Sequence, residues 1–226
     1  MLAPALAERA PVSLAGGPLA LYVIANAAIW AAALAPVLVA LPLRVEELAP
    51  DSTSGSLSLI LGVGGVVALT SPALGWLSDR ARRRTGSRRL GLLGGMVIAL
   101  AGALLLAEAD SIADLLLGWC VTQIGVNFVI VSLMAVLVDA VPPARRGKVA
   151  GLLGIGPPIG AVTGTWLLEA VSDSPRLLFL APAVLATVAV GCSRSCCRPP
   201  VHSRSRTTAP AAPCPRSMGR RSGGRG

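Results

Sequence analysis

The sequence predicts an all-α, polytopic membrane protein with six spanning helices and both termini on the cytoplasmic side. Three observations carry that prediction. Hydrophobic residues make up 54% of the 226 residues and charged residues only 14%, where a soluble domain of this size carries about a quarter charged. The apolar residues fall in long blocks, each near the roughly 20 residues of helix that cross a bilayer core of about 30 Å. The charged residues collect between the blocks, with basic and acidic connections alternating along the chain.

Six segments qualify as spans: 19–43, 57–77, 90–107, 115–138, 149–168 and 177–192. The first, LALYVIANAAIWAAALAPVLVALPL, carries Pro36 and Pro42 toward its far end. The sixth is the shortest, roughly 24 Å of helix. Helices are required because irregular backbone in lipid leaves N–H and C=O groups unpaired, and the period-two alternation of a β-barrel is missing. Residues 1–18 read as a cytoplasmic segment without the basic start of a cleavable leader.

Orientation follows from the connections. Arg80, Arg82, Arg83, Arg84, Arg88 and Arg89 lie between the second and third spans, Arg145, Arg146 and Lys148 between the fourth and fifth, and eight arginines follow the sixth. The alternate connections hold Glu46, Glu47 and Asp51, then Glu108 and Asp110, then Glu169 and Asp173. Eighteen of the twenty basic residues fall on one side, Arg44 and Arg176 being the exceptions. This bias places both termini in the cytoplasm, and the expected location of the chain is the plasma (cell inner) membrane, multi-pass.

Residues 193–226 change character, being rich in Arg, Pro, Ser and Gly and without apolar periodicity. They read as a disordered basic tail, and the abrupt change suggests a reading-frame shift or an early truncation near residue 192. Cys192, Cys196, Cys197 and His202 match no closed Cys/His metal pattern, so no metal and no cofactor are expected. The net charge of +9 does not indicate nucleic acid, because the arginines sit at the ends of apolar blocks and only 3% of residues are aromatic. No phosphate loop or catalytic triad is visible, and the protein is not expected to be an enzyme.

The stretch GWLSDRARRRTGSRR holds Gly75, Asp79, Arg80, Gly86, Arg88 and Arg89. A small residue closing the second span, then Asp-Arg, then Gly-x-Arg-Arg opening the third, resembles the loop motif of the major facilitator superfamily. The resemblance covers the six-span block 19–192 and implies the N-terminal half of a twelve-helix fold, to be completed by a second six-helix half of its own or of another chain. Here Ala-Arg-Arg-Arg-Thr intervenes, giving D-R-x-R-R-R-x-G-x-R-R. That spacing resembles the glycoside–pentoside–hexuronide and sucrose-transporter-like branches more than the drug-efflux branches. By this resemblance Asp79 and Arg80 would latch the two halves on the cytoplasmic side, and Gly75 would allow close helix approach. Arg82 to Arg84 read as positive-inside anchors. Asp139, Arg145 and Arg146 resemble the second cytoplasmic network, a job suited to bidentate Arg–carboxylate pairs.

In the fifth span GIGPPIGAVTG repeats glycine every four residues at Gly156, Gly160 and Gly164, a groove for close helix packing. Pro157 and Pro158 should kink it, and the string loosely resembles the glycine–proline motif of the superfamily's antiporters. Polar groups within spans tend to face a cavity or a partner helix. Asn26 and Trp30 share one face of the first span, and Trp119, Gln123 and Asn127 share one face of the fourth. In the family those two helices line the central cavity, so these five are the solute-contact candidates. The function implied is secondary transport of a small organic solute, a sugar or glycoside first, by alternating access. The alternatives are drug or metabolite efflux, and a non-transporting membrane fragment or scaffold. Partners are membrane lipid, the solute and a coupled proton or sodium ion, although Asp114, Asp139 and Glu169 all lie near helix ends and leave no carboxylate in mid-membrane.

Overall fold

A computed structural model describes residues 17–85 and 89–196, together with the backbone but not the side chains of Pro18, Arg89, Asp139, Ala140 and 194–196. The described residues are helical and contain no strand. They form α1 (Gly17–Ala35), α2 (Leu41–Leu48), α3 (Thr53–Ala68), α4 (Ser71–Thr85), α5 (Arg89–Ala107), α6 (Ile112–Ala140), α7 (Pro143–Leu153), α8 (Gly156–Glu169) and α9 (Pro175–Cys196). Five segments are long and apolar enough to cross a membrane: Leu19–Leu48, Leu90–Ala107, Ile112–Val138, Pro143–Glu169 and Pro175–Ser193. The bent pair Pro50–Ala68 and Ser71–Thr85, angled by 42°, makes a sixth when counted as one broken segment.

Prolines set the irregularities. Pro36 has no N–H for the carbonyl four residues before it, and the first span answers with a π turn over Pro36–Ala40, closed by Leu41 N–H donating to Pro36 O. The helix then continues through α2, so the first span runs past residue 43 to Leu48.

The second span is not the single helix expected over 57–77. Pro72 offers no N–H to Ala68 O, and the chain tightens there, with Leu69 N donating to Val66 O and Thr70 N to Val67 O. Beyond the break, α4 continues to Thr85. The connection expected to hold the arginines is therefore helix as far as Thr85, with Arg82, Arg83 and Arg84 in its last turn. Arg and Ala are strong helix formers, and cations suit a helix C-terminus.

The other ends also move outward. The fourth span begins at Ile112, capped by the Ser111 hydroxyl accepting from Asp114 N. The fifth begins at Pro143, which puts Arg145, Arg146 and Lys148 on α7 rather than in a loop. The sixth reaches Cys196, so 193–196 belong to a helix and not to the tail. The remainder of the tail lies outside the described residues.

The spans pack in the order second, fourth, third, sixth, first, fifth. One apolar cluster joins Tyr22, Ile29, Leu133, Leu137, Val149, Leu153 and Val190 near the α6–α7 connection. The other joins Leu41, Val45, Ile60, Leu106, Leu115, Trp119, Leu168 and Phe179 at the opposite end. Large apolar side chains also cover the outside, among them Val66, Leu69, Val97 and Trp166, as a bundle solvated by lipid requires.

Candidate functional site

Two of the membrane-length segments break into separate helices beside a proline, and in each case a side chain reaches the break from another segment. In the fifth span Pro157 and Pro158 follow the break at 154–155, so Leu153 O and Gly154 O lose their helical donors. Asn26 of α1 is buried, and its amide donates to Leu153 O at 3.0 Å. The donor that proline removes is thus replaced across the helix interface.

In the second span Ser71 Oγ lies 2.6 Å from Ala68 O, the carbonyl that Pro72 leaves free. The same hydroxyl is 3.1 Å from Asn127 Oδ1 of α6, while Asn127 Nδ2 donates to Gln123 O at 2.8 Å. Thr70 Oγ1 donates to Val67 O at 2.7 Å. Ser71 has one proton for two acceptors, so at any moment its hydroxyl serves Ala68 O or Asn127 Oδ1 and not both. Ser71, Gln123 and Asn127 are each partly accessible. The cluster can accept from a hydroxyl or an ammonium, and its Ser71 proton can be redirected.

The five solute-contact candidates separate in the structure. Trp30, Gln123 and Asn127 are half-buried. Asn26 and Trp119 are enclosed by protein, each 1% exposed, where the sequence placed them on a solute cavity. Trp119 packs its indole against Gly64 of α3, and a Cβ there would overlap Nε1. That Nε1 has no hydrogen-bond partner among the described residues.

Gly156, Gly160 and Gly164 are buried against α1. A Cβ on Gly160 would come 2.6 Å from Ala31 N and 2.7 Å from Trp30 Cβ, and one on Gly164 2.8 Å from Ala35 Cβ. At Gly156 it would overlap the Asn26 amide that serves the break. The glycine ladder therefore brings α1 close enough for that amide to reach Leu153 O.

At the arginine-rich end, Asp79 and Arg80 are exposed near the end of α4. The Arg80 guanidinium lies over the Trp76 ring, 5.4 Å from its centroid. Gly75 approaches α6, where a Cβ would meet Val131 Cγ1 at 3.1 Å. Gly86 and Arg88 lie outside the described residues, as do the side chains of Arg89 and Asp139. Arg145 is exposed. Arg146 turns back onto the C-terminus of α6, its Nη2 donating to Val138 O at 2.8 Å and its Nε to Val141 O at 3.0 Å. Those carbonyls end a helix and lack intrahelical donors, so a guanidinium suits them.

The two arginines that break the charge rule are both engaged at the acidic end. Arg44 donates to Glu47 Oε2 at 2.7 Å and to Ala109 O at 2.8 Å, with Asp110 Oδ1 3.7 Å away. Arg176 donates to Glu108 Oε2 at 3.0 Å. They tie the first and sixth spans to the connection between the third and fourth.

Sequence reasoning missed Ser71, Ser78, Ser132 and Gly64. Ser78 and Ser132 are buried and share a hydrogen bond of 3.1 Å, beside Gly91, where a Cβ would lie 2.7 Å from Ser132 Oγ. The available signal was small residues inside spans, which mark helix contacts in membranes.

Comparison with known proteins gives a consistent family. A model described as Major Facilitator Superfamily matches residues 12–217. The chain is 29% identical over 219 residues to an uncharacterized MFS-type transporter of Mycobacterium tuberculosis strain H37Rv, covering 88% of this chain and 30% of that relative. It is 31% identical over 109 residues to the multidrug resistance protein MdtH of Aeromonas hydrophila, covering 46% of this chain and 27% of that relative. Multidrug resistance protein MdtH of Aeromonas salmonicida matches over the same shares. The chain spans less than a third of the length of these curated relatives.

Proposed function

The chain belongs to the major facilitator superfamily, and we propose on that premise that it forms one six-span half of a secondary transporter that moves a small organic solute across the cell's inner membrane by alternating access. Alternating access rocks two halves around a site at their interface. The facing half comes from elsewhere in its own polypeptide or from a partner chain. Ser71, Gln123, Asn127 and Trp30 contact the solute, while Asn26 and Trp119 hold the first and fourth spans against their neighbours. The observation that carries this assignment is the single Ser71 proton shared between Ala68 O and Asn127 Oδ1 where the broken second span meets α6. A coupled proton or sodium ion would drive the cycle.

At the arginine-rich end, taken as cytoplasmic, Asp79 and Arg80 with Gly75, Gly86, Arg88 and Arg89 form the latch against the second half. Asp139 and Arg145 join it. Arg146 supports it by fastening α7 to the end of α6.

On the solute, the amide and hydroxyl groups suit a sugar or glycoside hydroxyl. A second reading, efflux of an amphipathic drug or metabolite, is favoured by the likeness to a protein named for multidrug resistance and by the proline break in the fifth span. Inverted vesicles containing the chain with its facing half separate the two. Gradient-driven movement of labelled sugar supports the first, movement of a fluorescent cationic drug the second. Flux of both no faster than in vesicles without the protein refutes the transporter assignment.

A further inference from the structure

The inserted arginines of the second span have no place in the latch, and their position on α4 indicates a different use. Trp76, Arg80, Arg83 and Arg84 stand at i, i+4, i+7 and i+8 of one helix and so share a face. Ser78, about 200° around the helix from Trp76, is buried against Ser132 of α6. The tryptophan–arginine face therefore points away from the other described helices. Trp76 is 63% exposed, and all three arginines are exposed.

We propose that this face is a docking site for the headgroup of an anionic phospholipid. The chemistry is complementary at two depths. An indole ring settles at the level where hydrocarbon meets headgroups, and Trp76 marks that level on α4. Arg80, a latch residue, stays stacked on the ring at 5.4 Å and is not counted in the headgroup contact; Arg83 and Arg84, one turn further out, stand at the height of the phosphates. Guanidinium groups bind phosphate oxygens through paired N–H donors. Asp79 is the one acid between Ser71 and Thr85. It stands about 60° around the helix from Trp76, so it borders the face rather than occupying it.

The arginines of residues 194–225 also attract anionic lipid, so the test must read this face alone. The full chain is placed in lipid nanodiscs, and Trp76 fluorescence is taken as the difference between the wild-type chain and Trp76→Phe. Quenching is then measured with brominated phosphatidylglycerol and with brominated phosphatidylcholine. Phosphatidylglycerol should quench at a mole fraction many times lower than phosphatidylcholine. Replacing Arg83 and Arg84 together by Gln should weaken that preference by roughly fivefold per arginine, about thirtyfold for the pair. Arg83→Lys with Arg84→Lys should retain most of it, which separates loss of charge from misfolding. Equal quenching by the two lipids overturns the proposal, as does an unchanged preference in the Gln variant. Displacement of phosphatidylglycerol by millimolar inorganic phosphate would also overturn it, since the face would then bind small anions rather than lipid.

Discussion

Replacing Asn26 by Ala isolates the contact that mends the fifth span. Leu153 O is buried and has lost its helical donor to Pro157, and the Asn26 amide is its partner at 3.0 Å. A buried carbonyl left unpaired costs about 1–3 kcal/mol. Interhelical hydrogen bonds within membranes average about 0.6 kcal/mol and reach about 1.7. Asn26 is 1% exposed, so water is poorly placed to substitute, and about 1–1.5 kcal/mol is expected. The second arm is Pro157→Ala, which restores an N–H in register with Leu153 O. In that background Asn26→Ala should cost less than about 0.5 kcal/mol, leaving a coupling energy near 1 kcal/mol. Reversible unfolding in mixed detergent–SDS micelles, followed by circular dichroism, measures all four corners of the cycle. An equal cost of Asn26→Ala in both backgrounds would show that the amide acts independently of the proline and does not replace its missing donor.

Other substitutions test neighbouring contacts. Gly160→Leu should separate α1 from α8 and cost about 3 kcal/mol, the upper end for overpacking, since even a Cβ comes within 2.7 Å of Trp30 and Ala31 atoms; a monodisperse product with unchanged stability would show that the helices are not in contact there. Arg44→Ala should cost about 1 kcal/mol, while Arg176→Ala should cost less than about 0.5 kcal/mol. The Arg44 side chain is only 25% exposed and reaches a backbone carbonyl as well as two acids, whereas that of Arg176 is 67% exposed. The order is read from the same unfolding titration, and its reversal would contradict the assignment. Arg146→Ala should speed amide deuterium exchange at the end of α6, around 138–141, while leaving α1 and α9 unchanged. Exchange altered throughout would show that Arg146 is more than a cap.

Much of the architecture is legible in the chain because lipid imposes a simple rule: apolar blocks long enough to span must be helices. The third span illustrates it, expected at 90–107 and found as Arg89–Ala107. Helix ends were less legible, because polar residues do not by themselves stop a helix. Arg80 through Thr85 remain helical, as do Arg44 through Leu48. The break at 69–70 was overlooked because Pro72 sits in an otherwise ordinary apolar run. Its effect arises from one missing N–H four residues downstream of Ala68. Side-chain direction was the least legible of all. Asn26 and Leu153 are 127 positions apart, and helical spacing alone does not say whether an amide faces a cavity or a neighbour's carbonyl. Arg146 likewise turns toward the helix before it, a choice set by unpaired carbonyls and not by its own position.

In an alternating-access cycle the Ser71–Asn127 cluster is reached in turn from each side of the membrane. Single Cys at Asn127, in an otherwise cysteine-free chain with its facing half, can be alkylated by an impermeant maleimide in right-side-out cells and in inverted vesicles. Alternating access gives labelling from both sides, with transported solute slowing one rate as the other rises. Labelling from one side only, unaffected by any solute, would contradict it.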